Sequence, residues 1–266
     1  MTRPAGAAPS PIRIAWAGHA TVRIEMDGAA LLTDPVLRRR LGHLHRVAAP
    51  PGPVAVGVAA VLISHLHRDH LDVPSLGLID PDVPVVAPQG AAGLLARARR
   101  RTVIEMVPGD VVTVGPLAVR ATVAAHDGGG QRTRGPRGLR SPHATAMGFV
   151  IEGTRAVYFA GDTDLFDGMA DIAPVIDVAL LPVGGWGPGL GPGHLDAGRA
   201  ARALTLLRPR VAIPIHWGTF APVPVSRRAG FVSRPGPAFA AAAAIVAPEV
   251  EVRLIPAGGA TVIEPW

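Results

Sequence analysis

Ser64-His65-Leu66-His67-Arg68-Asp69-His70-Leu71-Asp72 directly follows the uncharged run Ala59-Ala60-Val61-Leu62-Ile63. A short apolar run bounded by polar residues reads as a buried strand, so these histidines and aspartates stand at a strand end. If extended geometry carries on past Ile63, residues two apart share a side, and His65 and His67 converge on one metal ion. A turn after Arg68 then presents Asp69 and His70 to a second ion beside the first. Only 10 of 266 residues are histidine. Three of them plus an aspartate so closely packed favour a ligand cluster over a polar loop that holds histidines by chance.

Working outward, the same texture of strands and loops recurs. Before residue 126, apolar strands are predicted at 12–16, 22–26, 30–33, 59–63, 83–87, 111–114 and 117–123, with one helix at 91–100. Residues 127–145 are rich in Gly, Arg and Pro and lack periodicity, as a long loop would. Strands at 147–151, 156–160, 175–181 and 211–215 follow. A helix at 197–207 has Asp196 as its N-cap, and an alanine-rich helix covers 237–245. The tail, 250–263, reads as two strands around Pro256-Ala257-Gly258-Gly259. Two halves, about 1–126 and 146–266, share this strand-then-helix content. They predict an α/β (α+β) fold, two sheets covered by helices in one domain over 1–266, although no sequence repeat proves it.

Composition removes whole classes of chemistry. There is no cysteine, which excludes disulfides, thiolate catalysis and thiolate zinc sites and leaves nitrogen and oxygen to bind a metal. The formal charge is +6, carried by arginine with no lysine, beside 32 Gly and 28 Pro. That pattern fits codon bias better than a nucleic-acid footprint, so no nucleic-acid partner is expected. No run of about 18 apolar residues is present and the opening residues lack an apolar signal core, so a cytoplasmic protein without membrane insertion is expected. The Gly-x-Ser-x-Gly elbow of serine hydrolases is absent.

His65-Leu66-His67-Arg68-Asp69-His70 resembles the H-x-H-x-D-H signature of the metallo-β-lactamase superfamily. The further positions of that family are matched in order by His126 in Ala125-His126-Asp127, Asp162 in Gly161-Asp162-Thr163 and His216 in Ile215-His216-Trp217. The resemblance implies a four-layer αββα sandwich. It implies that His65, His67 and His126 hold one ion, that Asp69, His70 and His216 hold the other, and that Asp162 bridges them. Trp16-Ala17-Gly18-His19-Ala20-Thr21, Thr33-Asp34-Pro35, His194-Leu195-Asp196 and His216-Trp217-Gly218-Thr219 are similar to the subgroup of ascorbate-6-phosphate lactonase and the N-acylethanolamine-releasing phospholipase D.

The cofactors so implied are two divalent ions, zinc first, with manganese or iron also suited to nitrogen and oxygen ligands. Such a pair activates water as the nucleophile and stabilises the charge that develops on the attacked centre. Asp69 is then also catalytic, orienting the water and returning a proton. His194, before the Asp196 cap, either serves the leaving group or is a surface histidine. His19 either lines the substrate site or bonds backbone in a strand turn, and Trp186 lies in the glycine-rich approach to His194. Asp34 and Asp72 are candidates to hydrogen-bond metal-bound imidazoles, although Asp34-Pro35 is also a plain turn signal. Arg134 and Arg137, with Arg132, Arg140 and His143, either hold an anionic group of the substrate or form a solvated loop.

The function expected first is hydrolysis of a small-molecule ester or lactone, which the subgroup leaves open to phosphorylation. A phosphodiesterase is the nearest alternative, because the same two-metal clamp suits phosphorus. A redox dimetal protein would need an additional electron-transfer domain, and a non-catalytic metal-binding module would be expected to lack ligands. The partner is then a small, plausibly anionic molecule, and self-association into a homo-oligomer stays open.

Overall fold

Along the strand that precedes the histidine cluster, Ala60 and Leu62 point into one apolar cluster while Val61 and Ile63 point into another. It is covered on both faces, which explains a continuous apolar run where a half-exposed strand would alternate. The computed structural model describes residues 8–98, 100–127, 144–225 and 229–266. Its first half holds strands β1 (Ile12–Gly18), β2 (Thr21–Met26), β3 (Ala29–Thr33), β4 (Arg40–Leu41), β5 (Leu44–Arg46), β6 (Ala60–Leu62), β7 (Val85–Pro88) and β8 (Val103–Met106). Helices α1 (Val73–Leu76) and α2 (Ala92–Leu95) lie among them. The second holds β9 (Val111–Val114), β10 (Leu117–Val123), β11 (Met147–Glu152), β12 (Ala156–Phe159), β13 (Val178–Pro182), β14 (Val211–Ile215), β15 (Phe220–Pro222), β16 (Glu251–Val252) and β17 (Ala260–Ile263). Helices α3 (Ala197–Leu207), α4 (Gly230–Ser233) and α5 (Pro235–Val246) complete it.

Among the described residues, two seven-stranded sheets run β17-β1-β2-β3-β6-β7-β8 and β16-β14-β13-β12-β11-β10-β9. Each is antiparallel at one side and parallel at the other, with β3-β6-β7-β8 in one matching β12-β13-β14-β16 in its counterpart. The repeat is therefore structural. Ile14, Ile24 and Leu31 of one sheet and Phe149, Phe159 and Ile213 of the other share the central core. Outside it, Leu76 and Leu95 of the short helices cover the first sheet, and Leu204, Phe239 and Ala243 of α3 and α5 cover the second. These are the four layers, α, β, β and α, that the histidine signature implies.

α3 coincides with its predicted span, and Asp196 caps it by accepting from the Arg199 N–H at 2.8 Å. The helix expected at 91–100 is shorter: α2 passes into a single 3-10 turn, Ala96–Ala98. Beyond it, Arg100 turns inward and donates to the carbonyls of Leu76, Ile79 and Asp80. β13 starts at Val178 rather than 175 because the Asp177 carboxylate turns aside to accept from the Ala156 N–H. The small sheet β15-β5-β4, the edge strand β8 and the helices α1 and α4 escape the sequence pattern, having two to four residues each.

One packing constraint links the outer layer to the ligands. Gly236, in the first turn of α5, lies under the indole of Trp217, and a Cβ there would overlap carbons of that ring. Trp217 also packs against Trp16 at 5.7 Å and directly follows His216. Gly236→Ala should therefore destabilise the fold by about 1–3 kcal/mol through overpacking and weaken metal uptake by displacing His216. Thermal melts and metal titration of this variant check both effects, and unchanged values in each would refute the coupling.

Candidate metal centre

The strand ends at Leu62, yet the histidines still converge. The chain bends after Ile63 and closes one turn in which His70 and Leu71 N–H groups donate to the His67 carbonyl. His65 Nε2 and His67 Nδ1 then lie 3.0 Å apart. The remaining candidates come from the carboxyl ends of strands in the second sheet, the usual place for ligands beside parallel strands. His126 follows β10, Asp162 follows β12 and His216 follows β14. His126 Nε2 is 3.3 Å from His67 Nδ1, and Asp162 Oδ2 is 3.2 Å from His70 Nε2 and 3.9 Å from His65 Nε2. Asp162 Oδ1 is 3.2 Å from His216 Nε2, which is 3.1 Å from His70 Nε2. Asp69 Oδ2 closes the group at 3.9 Å from both His70 and His216. Thus all seven positions predicted as ligands meet in one place.

Close backbone approaches make this convergence feasible. Gly193 has φ +79°, and a Cβ on it would press on His126. Gly161 has φ +63°, and a Cβ there would meet the Ser64 side chain. Glycine alone fits both conditions at both positions. His216 itself has φ 64°, a strained conformation for a residue with a side chain, held by its N–H donating to the His19 carbonyl.

Hydrogen bonds on the far side of each ring fix which nitrogen is bare. His70 Nδ1–H donates to Asp34 Oδ2 at 2.7 Å, His126 Nδ1–H to the Gly193 carbonyl at 2.8 Å and His216 Nδ1–H to the Gly184 carbonyl at 2.8 Å. Ser64 Oγ–H donates to Asp34 Oδ2 and so accepts from His65 Nδ1–H. In their neutral forms these four rings turn unprotonated Nε2 atoms toward the centre. Lone pairs about 3 Å apart repel unless a cation lies between them. A tetrahedral ion with metal–nitrogen bonds of about 2.1 Å separates its ligands by about 3.4 Å, close to the spacings found. Asp162 Oδ1 is also buried without a hydrogen bond. The residues present fit nitrogen- and oxygen-bound divalent ions, and His65, His67 and His126 form one group that could hold such an ion. A second group is His19, Asp69, His70 and His216, while Asp162 joins His65 and His70.

The electrostatics match a site built for cations. Burial pushes His65, His67 and His126 below the ordinary histidine range. Burial also disfavours charge on His70, but Asp162, Asp34 and Asp69 outweigh it and hold that ring well above the usual value. Burial alone would raise Asp69 and Asp162, yet the surrounding histidines keep both well below the carboxylate range. Burial raises Asp34 despite its bonds to His70 and Ser64.

The other predicted residues divide. His19 is buried, its Nε2 is 3.1 Å from Asp69 Oδ2, and its ring lies 3.9 Å from that of His216. Burial takes it down to about 4. Trp186, at the surface, donates its indole N–H to the same Asp69 oxygen at 3.2 Å. His194 Nδ1–H faces the Gly191 and Pro192 carbonyls at 3.1 Å, while its Nε2 lies 3.4 Å from Asp162 Oδ2. That hydrogen bond raises His194 to about 8. Asp34 stands behind His70, the carboxylate–histidine arrangement expected behind a metal ligand. Asp72 does not: its carboxylate caps α1 through the Ser75 N–H and pairs with Arg38, away from every imidazole. Arg132, Arg134, Arg137, Arg140 and His143 lie outside the described residues. Sequence reasoning missed Gly193 and Ser64, which hold His126 and His65, and Thr219, whose Oγ1 accepts from the His19 N–H at 2.7 Å. The glycine-rich run before His194 was the available signal for Gly193, whereas nothing local marks Ser64 or Thr219 as partners.

Comparison with known proteins agrees with this geometry. Residues 30–217 match the beta-lactamase superfamily domain. A metal-dependent hydrolase of Caldivirga maquilingensis is 31% identical, covering 77% of this chain and 82% of its own. One of Methanopyrus kandleri is 32% identical, over 80% and 86% respectively. Among solved structures, Igni18, a metallo hydrolase of Ignicoccus hospitalis, superposes with a TM-score of 0.72 at 22% identity, covering 97% of this chain and 100% of its own. With its fold and most of its length matched in this way, the chain belongs to the beta-lactamase superfamily, within a family of metal-dependent hydrolases.

Proposed function

We propose that the protein hydrolyses an ester or lactone bond in a small, anionic molecule at a dinuclear metal centre. The observation that carries this reading is the set of imidazole nitrogens and carboxylate oxygens facing one another at 3.0–3.9 Å. His65, His67 and His126 would hold one ion and Asp69, His70 and His216 the other, with Asp162 reaching both. Two divalent ions supply Lewis acidity toward the scissile group and lower the pKa of the attacking water. Asp69 orients that water and takes its proton, held in place by His19 on one side and the Trp186 indole on the other. His194, fixed by two carbonyls on its Nδ1 side, presents Nε2–H to the leaving oxygen. Asp34 keeps His70 in the tautomer that leaves Nε2 free.

Freshly purified protein should contain about two zinc, manganese or iron ions per chain. Loaded protein should cleave a lactone panel in preference to an aryl phosphodiester. His67→Ala and Asp162→Ala should each lose at least about a hundredfold in activity, since even partners behind a ligand cost that much. Both variants should stay folded, because each removes a ligand and no core packing. Full activity in either variant would overturn the site. Faster turnover of the phosphodiester would replace the lactone reading with that of a phosphodiesterase.

His194→Gln should lower kcat by about 10²–10⁴, the ordinary range for a lost general acid, and least for esters whose alcohol leaves easily. A loss equal across leaving groups would remove His194 from that role.

Metal uptake should release protons. His70 is protonated at neutral pH in the metal-free protein and must be neutral to bind. Its proton leaves with each loading event, so affinity rises with pH below the raised pKa. Calorimetric zinc titrations in two buffers of different ionisation enthalpy should show proton release near pH 7. Identical apparent enthalpies would contradict it.

A further inference from the structure

We infer that the small sheet β15-β5-β4 carries a second ligand site, a pocket for the phosphate or carboxylate group of a small molecule. A cavity of about 500 Å³ is lined, among the described residues, by Arg39, Arg40, His45, Arg46, Val223 and Pro224. Its volume falls in the range that holds small molecules. Four of these six side chains bring basic nitrogens and none is acidic.

Several arginines elsewhere on the surface pair with carboxylates. Arg13 and Arg23 pair with Glu25, Arg38 with Asp72, Arg101 with Asp82, Arg199 with Asp164 and Arg253 with Glu251. Arg46 is half-buried and, like Arg100, bonds only carbonyls, with NH2 donating to Val36 at 2.7 Å and NH1 to Ala17 at 2.8 Å, but unlike Arg100 it lines a cavity. Its guanidinium rests on the Phe220 ring at 4.9 Å, and burial lowers it to about 10. A buried cation without a counter-charge is unfavourable and is relieved by an anion. His45, on the central strand of the same sheet, has a buried Nδ1 with no hydrogen bond. Arg39 and Arg40 extend from the exposed side, where their planar forks suit the two oxygens of a carboxylate or phosphate.

The pocket is separate from the metal centre. None of its lining residues belongs to the ligand groups, and Phe220 stands between Arg46 and His19, edge-on to the His19 ring at 5.6 Å. Two sources share the ligand chemistry: the anionic end of the hydrolysed molecule, or an independent small anion.

The test is calorimetric titration of metal-loaded protein with inorganic phosphate, comparing wild type with an Arg39→Gln/Arg40→Gln double variant. These exposed residues are not part of the core, so metal content and melting temperature should be unchanged. Phosphate binding outside the metal centre should weaken by about tenfold or more when two charge-assisted contacts are removed, and His45→Ala should act in the same direction. Equal affinity and stoichiometry in wild type and variants would overturn the pocket. Competition by phosphate that raises KM in wild type but not in the double variant identifies the anionic end of the substrate. Binding without any effect on KM identifies a separate ligand. The titration needs no turnover, so failure of the hydrolase reading leaves this result intact.

Discussion

Five imidazole rings and two carboxylates turned toward one another and largely withdrawn from water are costly to hold together, and the rest of this molecule is arranged to hold them there. No single element can do so. His65, His67 and His70 come from one strand end of the first sheet, and His126, Asp162 and His216 from three strand ends of the second. Four of the five rings are clamped from behind by a group of the scaffold: His65 by Ser64, His70 by Asp34, and His126 and His216 by the carbonyls of Gly193 and Gly184. Folding must therefore supply enough packing to offset crowding at the centre. It does so through an apolar core shared by both sheets and an outer helical layer on each.

The structural repeat places a carboxylate at a matching strand end in each sheet. In each, the last strand of the antiparallel run passes to a parallel neighbour, and a carboxylate stands just beyond it. That residue is Asp34 after β3 and Asp162 after β12. The two have diverged in use. Asp34 is wholly buried and spends its oxygens on Ser64 and His70. Asp162 keeps both oxygens turned to the imidazoles and one of them unsatisfied. One carboxylate orients a ligand and the other faces the centre, although neither difference is visible in Thr33-Asp34-Pro35 or Gly161-Asp162-Thr163 alone.

The candidate ligand positions were legible because they stand in short polar segments just beyond apolar strands. α3 was likewise legible, with Asp196 as a cap before its periodic run. What escaped depends on distant contacts. Asp72 has the same local appearance as a ligand partner, but its fate is decided by Arg38, 34 positions away. The helix at 91–100 had the right composition and was cut short by Arg100 folding inward onto carbonyls. Strands β4, β5 and β15 are too short for a period, yet their sheet builds the arginine-lined pocket.

His194 shows how the proposed chemistry could follow from competition for a single carboxylate. Asp162 Oδ2 stands 3.2 Å from His70 and 3.4 Å from His194, and it raises the pKa of both rings. On the proposed function, Asp162 turns its charge to the ions and no longer competes for the His194 proton. The Nδ1 side of that ring remains tied to two backbone carbonyls, so the ring cannot turn away. The proton on Nε2 is then left without its internal acceptor, facing the place where a leaving oxygen develops negative charge. On that reading, a histidine restrained in this way would become a stronger acid when the centre is loaded, and proton donation would be coupled to the presence of the metals.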